Sequence, residues 1–295
     1  MKNAISIFCL LIVLTVQGQV QRFIYEYKFT NDSLKKDSLK SEYMFLDVLK
    51  TGSKYYSKKQ FDSDSIQTIA IIKQMKMNPG SISVNKSFGE GSIDYTIEKS
   101  YPDFKIEFST SVGMGIGNTD YKVLDDRKLN WKILSDKQKI GEFDTQKAET
   151  TFAGRKWIAW FTTEIPFQDG PYKFHGLPGL IVKIEDAKHT HIMELKAVKK
   201  IPERELTKEE TDAIAYKEKM GKRLSVNQSQ YKKLIAQYKN DPVQGYREMM
   251  NKPNMKVSIN IDGRIISDNA EILKQMEKTA KEQIKKENNL IEQQL

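Results

Sequence analysis

The sequence predicts an α+β protein: a curved antiparallel β-sheet with helices packed on it and a mostly helical C-terminal third. Three observations support this class. Short apolar runs separated by turn residues fill residues 20–200, as in an antiparallel meander. The densest run of aromatics, prolines and glycines lies at residues 157–181. From Pro202 onward the composition becomes charged and typical of helices.

The N-terminus, residues 1–18, predicts a secretory signal peptide. Lys2 is followed by an apolar stretch at residues 5–16 that is too short to span a bilayer. Cleavage is expected ahead of Gln19, and no lipid is expected on Cys9 because a bulky residue precedes it. The mature chain then contains no cysteine, so it would fold in an oxidising compartment without disulfides.

These features predict an exported protein that is periplasmic, outer-membrane-associated or secreted, with no transmembrane span once the signal is removed. The formal net charge of +9 comes from 48 Lys and Arg against 39 Asp and Glu. Because the two signs are interspersed, a solvated lysine-rich surface is favoured, and nucleic acid is not expected as a partner. The expected partners are envelope proteins, a peptide or a hydrophobic ligand.

The β-rich part, residues 19–201, is predicted to form one domain. Its predicted strands are apolar runs at residues 23–29, 43–49, 55–56, 93–97, 106–108, 121–123, 129–133, 145–153, 157–163, 180–184 and 189–198. A helix is predicted over residues 65–77, capped by Asp64 or Ser65 and stopped at Pro79.

The C-terminal region, residues 202–295, is predicted to be mostly helical. Its predicted elements are a helix from the capping box at Thr207 to Gly221, a helix over 229–239, a helix capped by Asp241, a strand over 255–261 and a long charged helix from Asn269.

The stretch at residues 157–181 is predicted to be a sharp corner between two strands. Its first strand is apolar on both faces, which indicates burial on both sides. The residues expected to fix this corner are Trp160, Pro166, Gly170, Gly176, Pro178 and Gly179. The corner could be purely structural, or its loop could carry His175 at the rim of a pocket.

The run AWFTTEIPFQDGPYKFHGLPGLIVKIED, residues 159–186, resembles the signature of the GLPGLI family, named after residues 176–181. The resemblance implies an exported Bacteroidota protein of a family with no established activity. It extends from about Phe23 to about Ile201 and leaves the C-terminal third outside. It implies no catalytic residues.

One local arrangement predicts a metal site. His189, His191 and Met193 would lie on one face of a strand, and imidazole with thioether is a ligand set suited to copper. The alternative is that Met193 marks a core face and the two histidines lie at its edge. The sequence does not fix a further ligand, for which His175, Met75 and Met77 are the possible residues.

The sequence contains no HExxH, GxSxG, CxxC or P-loop motif, so no catalytic residue and no other cofactor is predicted. The function predicted first is an exported, non-enzymatic accessory or binding protein of the envelope, for a hydrophobic ligand or a peptide. The alternatives are periplasmic copper binding and a hydrolase whose site assembles from distant residues.

Overall fold

The computed structural model describes residues 19–77, 93–113, 118–202, 205–221, 223–251, 258–261 and 264–295. The predicted signal peptide, the predicted helix stop at Pro79 and much of the strand predicted over 255–261 lie outside these ranges. Strands hold 41% of the described residues and helices 29%, so the fold is dominated by β-structure.

The described residues form fourteen strands and five helices. The strands are β1 (Gln19–Phe29), β2 (Lys40–Val48), β3 (Gly52–Ser57), β4 (Thr96–Ser100), β5 (Lys105–Val112), β6 (Thr119–Asp125), β7 (Lys132–Ile140), β8 (Phe143–Phe152), β9 (Arg155–Thr162), β10 (Leu180–Asp186), β11 (His191–Pro202), β12 (Leu224–Asn227), β13 (Ile259–Ile261) and β14 (Arg264–Ile266). The helices are α1 (Lys58–Met77), α2 (Lys208–Met220), α3 (Gln228–Asn240), α4 (Gln244–Met250) and α5 (Asn269–Lys286).

Twelve strands form one open sheet in the order β12-β6-β5-β4-β3-β2-β1-β11-β10-β9-β8-β7. Neighbouring strands are antiparallel except β12, which pairs in parallel with β6. The first strand lies in the middle of the sheet because β1 pairs with β2 on one side and β11 on the other. Strands β13 and β14 form a separate two-stranded ladder.

One continuous apolar core lies on the buried face of this sheet. Alternate residues of β1, among them Phe23, Tyr25 and Tyr27, are at most 2% exposed, as the two-residue period of a strand predicts. Trp157 of β9 packs against Phe174 with ring centroids 4.8 Å apart. The aromatic stretch of the sequence therefore supplies the centre of the core.

Helix α1 covers the opposite face of β2 and β3. It begins at Lys58, earlier than predicted, because the Ser57 hydroxyl accepts a hydrogen bond from the Gln60 amide at 2.9 Å and caps the helix there. The predicted caps, Asp64 and Ser65, lie inside the helix.

The prediction of an α+β class with a mostly helical C-terminal third is wrong. The protein is a large, mostly antiparallel sheet with a smaller share of helix. The C-terminal region takes part in that sheet through β12, and after α5 its last residues leave the helix and pack on the core. These placements depend on contacts with strands far away in the sequence, which a local charge and helix pattern does not reveal.

The helix ends of the C-terminal region follow the sequence in part. Thr207 forms the predicted capping box with Glu210, and Asp268 caps α5 through the amide of Glu271. The predicted cap at Asp241 is wrong, because its carboxylate pairs with Arg247 at 2.8 Å and α4 begins three residues later. No helix within the described part of the chain is long and apolar enough to cross a membrane.

Candidate functional site

The connection between β9 and β10, residues 163–179, is called the motif loop below. It folds back on itself through an isolated bridge between Asp169 and His175. The amide of Gly176 donates to the carbonyl of Gln168 at 2.9 Å, and the amide of Ile181 donates to the carbonyl of Asp169 at 3.0 Å. The loop is therefore a compact structure with its own hydrogen bonds.

Two glycines of the loop allow close packing. Gly179 has φ +154°, and a Cβ there would lie 3.1 Å from Thr163 Cα and nearer still to the carbonyl of Thr162. A Cβ on Gly170 would lie 2.8 Å from the side chain of Ile181. Both positions exclude a side chain because the backbone approaches its neighbours closely.

The other predicted corner residues are more exposed. Gly176 has φ +88° with open space around it, and Pro166 and Pro178 are exposed. Trp160 is only partly buried, on the face opposite Trp157, where the Lys147 ammonium lies 6.0 Å from its ring. Strand β9 is therefore fully buried on one face only.

A buried ion pair anchors the motif loop to the sheet. Lys99 of β4 bonds to the carboxylate of Asp169, and both side chains are fully buried. Asp169 also accepts from the hydroxyls of Ser53 and Tyr101, each at 2.5 Å. The ammonium of Lys99 donates in addition to the carbonyl of Gly170 at 2.7 Å. Burial lowers the pKa of Lys99, and the attraction of Asp169 opposes that shift.

Sequence reasoning missed this anchor. Asp169 directly precedes Gly170 and Pro171, a pattern typical of a turn, and Lys99 is one of 48 Lys and Arg residues. The signal in the sequence is that Lys99 lies two residues after Ile97, on the strand face that Tyr95 and Ile97 mark as apolar, just beyond the strand predicted at residues 93–97.

Partly exposed aromatic rings stand at the edge of the motif loop, and we call Tyr101, Phe104 and His175 the rim. The Phe104 and His175 rings are stacked with centroids 4.6 Å apart and planes 8° apart, and Tyr101 lies 4.9 Å from Phe104. Phe104 holds φ +49°, a left-handed conformation that is unfavourable for a bulky residue. Strained residues of this kind concentrate at functional sites.

The protonation of His175 follows from its contacts. Its Nδ1 donates to the carbonyl of Lys173 at 2.9 Å, so the proton of the neutral ring is on Nδ1 and not on Nε2. Burial, with a further effect of Lys99, lowers the pKa of His175 below its ordinary value. The ring is therefore neutral at pH 7, and Nε2 is an acceptor.

The predicted metal ligands lie in two different environments. His189 is in the exposed turn between β10 and β11, with Nδ1 3.2 Å from Glu185. His191 is fully buried, and its Nε2 donates to the carbonyl of Asn289 while its Nδ1 accepts from the Tyr27 hydroxyl. Met193 is also buried on the same strand. The structure therefore places His191 with Met193 in the core and His189 outside it.

A copper ion on His191 would have to replace one of these two hydrogen bonds. The sulfur of Met193 lies 3.7 Å from the hydroxyl of Tyr55, which donates to it. Across the described ranges, no three His, Cys, Asp or Glu side chains are grouped to hold a metal ion. Copper binding by His189, His191 and Met193 stays a prediction.

The buried His191 predicts a loss of stability in mild acid. Burial, reinforced by Arg155, lowers its pKa to about 4 from 6.5. Between these two pKa values the imidazole of His191 binds a proton in the unfolded chain but not in the folded chain. The stability of the fold is therefore unaffected by this group above pH 6.5 and decreases as the pH falls toward 4. We expect the free energy of unfolding to fall by about 2 kcal/mol between pH 7 and 5.

Urea unfolding at the two pH values measures this loss. The variant His191→Gln should show a smaller pH dependence, whereas His189→Gln, altered at the exposed turn, should keep that of the wild type. Asp186, which also faces His191, has a pKa lowered below 3.8 by hydrogen bonds and Arg155 despite burial, so it titrates below this window. An equal pH dependence in His191→Gln would refute the assignment.

Comparisons with known proteins give a family match and a distant structural likeness. The sequence model of a family described as a protein of unknown function (Porph_ging) matches residues 153–183, which span β9 and the motif loop. Comparison with curated proteins finds no match. Two crystal structures of PNGF-II, in space groups C2 and P21, are similar at 15% identity with a TM-score of 0.48. The alignments cover 75% of this chain and 33% and 34% of those chains, so this chain spans about a third of their length.

Proposed function

We propose that the protein is an exported, non-enzymatic binding protein of the bacterial envelope that takes a peptide at the rim. In this proposal the protein has the same exported location as the GLPGLI proteins, whose signature residues 159–186 resemble. The observation that carries it is the partly exposed stack of Phe104 on His175, held at a backbone conformation that is unfavourable for phenylalanine.

The chemistry of the rim suits an apolar side chain beside a hydrogen-bond donor. The rings of Tyr101 and Phe104 offer apolar area, and Nε2 of His175 offers an acceptor. A peptide supplies both, through an aromatic or aliphatic side chain and a backbone or indole N–H. Lys99 and Asp169 are fully buried and bonded to each other, so they hold the loop in place below the rim.

Selection of random displayed peptides on the full chain tests the proposal. We expect peptides with an aromatic residue to be enriched. Their affinity should fall at least about fivefold for Phe104→Ala or His175→Ala, since each removes a contact worth about 1 kcal/mol or more.

The matched control is Phe61→Ala, which removes an exposed ring on α1, on the opposite face of the sheet. Its peptide affinities should equal those of the wild type. The proposal fails if no peptide is enriched, or if the enriched peptides bind the rim variants as well as the wild type.

The location is proposed from residues 1–18, which lie outside the described residues. Mass spectrometry of protein expressed in a Gram-negative host should find a mature chain that begins near Gln19 and carries no acyl group. An intact Met1, or a lipid on Cys9, would contradict this part of the proposal.

A further inference from the structure

The last residues of the chain, 288–295, leave the helical path of α5 and lie against the motif loop and the ends of several strands. We call them the strap. The guanidinium of Arg155 donates to the backbone carbonyls of Leu290 at 2.6 Å and Ile291 at 3.1 Å. The amides of Gln293 and Gln294 donate to the carbonyl of Ala153. Main-chain contacts of this kind hold a peptide segment whatever its side chains.

Arg127, Tyr172 and Lys173 form a buried pocket that accepts the carboxylate of Glu292. Its Oε1 lies 2.6 Å from the ammonium of Lys173 and 2.7 Å from the hydroxyl of Tyr172, and its Oε2 lies 2.8 Å from the guanidinium of Arg127. Lys173 and Tyr172 belong to the motif loop, so the fold of that loop also builds this pocket.

The pocket needs a second anion to be neutral. Asp125 also contacts both cations, at 2.8 Å from Lys173 and 2.5 Å from Arg127. Without Glu292, two cations would face one carboxylate, and Lys173 is only 1% exposed. An excess positive charge at this depth is costly, so the pocket selects a carboxylate.

A second pocket accepts the carboxamide of Asn289, three residues earlier. Its Oδ1 accepts from Arg155 at 2.9 Å and its Nδ2 donates to the carbonyl of Thr30 at 2.7 Å. Its backbone carbonyl accepts from Nε2 of His191. Asn289 is 4% exposed, and both ends of its amide are recognised.

We infer that the surface covered by the strap is a binding site for peptides with a carboxamide and a carboxylate three residues apart, and that the strap is its resident, displaceable occupant. The strap follows α5, which packs with α4 in a small apolar cluster of its own. Helix α5 ends at Lys286, directly before the strap, so a release of the strap would not require the sheet to open. The site is separate from the rim, and its test does not depend on peptide binding there.

A labelled synthetic peptide with the sequence of residues 287–295 tests this inference when it is added to the full-length Glu292→Gln variant. Its binding is measured by fluorescence anisotropy. We expect the peptide to bind, and a peptide with glutamine in place of the residue corresponding to Glu292 to bind at least about tenfold more weakly, since charge-assisted hydrogen bonds are lost. The matched control is Glu287→Gln, the same chemical change at the exposed end of α5, which should leave the strap in place and bind far less peptide.

Hydrogen exchange on the wild type gives a second measurement that does not depend on a variant. The amides of Gln293 and Gln294 should exchange through a local opening, faster than the amides of β1 and β11, and excess unlabelled peptide should not slow the core amides. The inference is overturned if the folded Glu292→Gln chain binds neither peptide or both equally. It is also overturned if the strap amides exchange only with global unfolding.

Discussion

Replacing Gly179 with valine is expected to lower the free energy of unfolding by about 3 kcal/mol or more. The added Cβ would overlap with the backbone carbonyl of Thr162. The position of a Cβ is fixed by its backbone, so no change of rotamer can relieve the overlap. Urea denaturation of the purified variant measures the loss.

A matched pair of alanine variants separates this clash from backbone strain. Gly176→Ala also places a side chain at positive φ, but in open space, so it should cost only about 1 kcal/mol. Gly179→Ala makes the same chemical change against the Thr162 carbonyl and should cost at least twice as much. Equal losses in the two variants would show that the close approach at Gly179 is unimportant.

Removing one partner of the buried anchor is the second large effect. Lys99→Met should destabilise the protein by about 3–5 kcal/mol, because it leaves the carboxylate of Asp169 buried without its cation. The double variant Lys99→Met, Asp169→Asn should recover part of this loss, since it removes the buried charge and the amide oxygen can still accept from Ser53 and Tyr101. Recovery is incomplete because the NH2 group of the asparagine would face the backbone amide of Gly170, which donates to the carboxylate.

The adjacent surface pair is the control for this experiment. Lys54 and Glu98 lie on the same two strands, β3 and β4, with their charged atoms 3.7 Å apart and about half exposed. Lys54→Met should therefore change the free energy of unfolding by less than about 1 kcal/mol. If Lys99→Met cost no more than Lys54→Met, the anchor would not stabilise the loop.

Local patterns located much of the secondary structure. The alternation at residues 23–29, the strand predicted at residues 157–163 and the capping box at Thr207 each depend on neighbours in sequence, and the structure has each of them close to the predicted position. The predicted burial of that strand on both faces is wrong, because Ile158 and Trp160 are only partly buried. The start of α1 was missed because the cap at Ser57 directly follows β3, where a strand pattern hides it.

The candidate sites could not be predicted in this way. The rim joins Phe104 to His175, and the pocket of Glu292 joins three parts of the chain that are distant in sequence. With 48 basic and 39 acidic residues, many pairings are possible, and only the strand order decides which of them form. The helical prediction for the C-terminal third was wrong for the same reason, since β12 and the strap depend on distant partners.

The central position of β1 has a consequence for how the chain folds. Its register with β11 pairs Phe29 with His191 and Gln19 with Pro202. One edge of the first strand therefore stays unpaired until β11, more than 160 residues later in the sequence, pairs with it. Closing so long a loop is slow, and meanwhile an aromatic strand with an unpaired edge is prone to aggregate. Formation of this long-range pairing is therefore expected to be a slow step in folding, and a chaperone that covers residues 19–29 should raise the yield of folded protein.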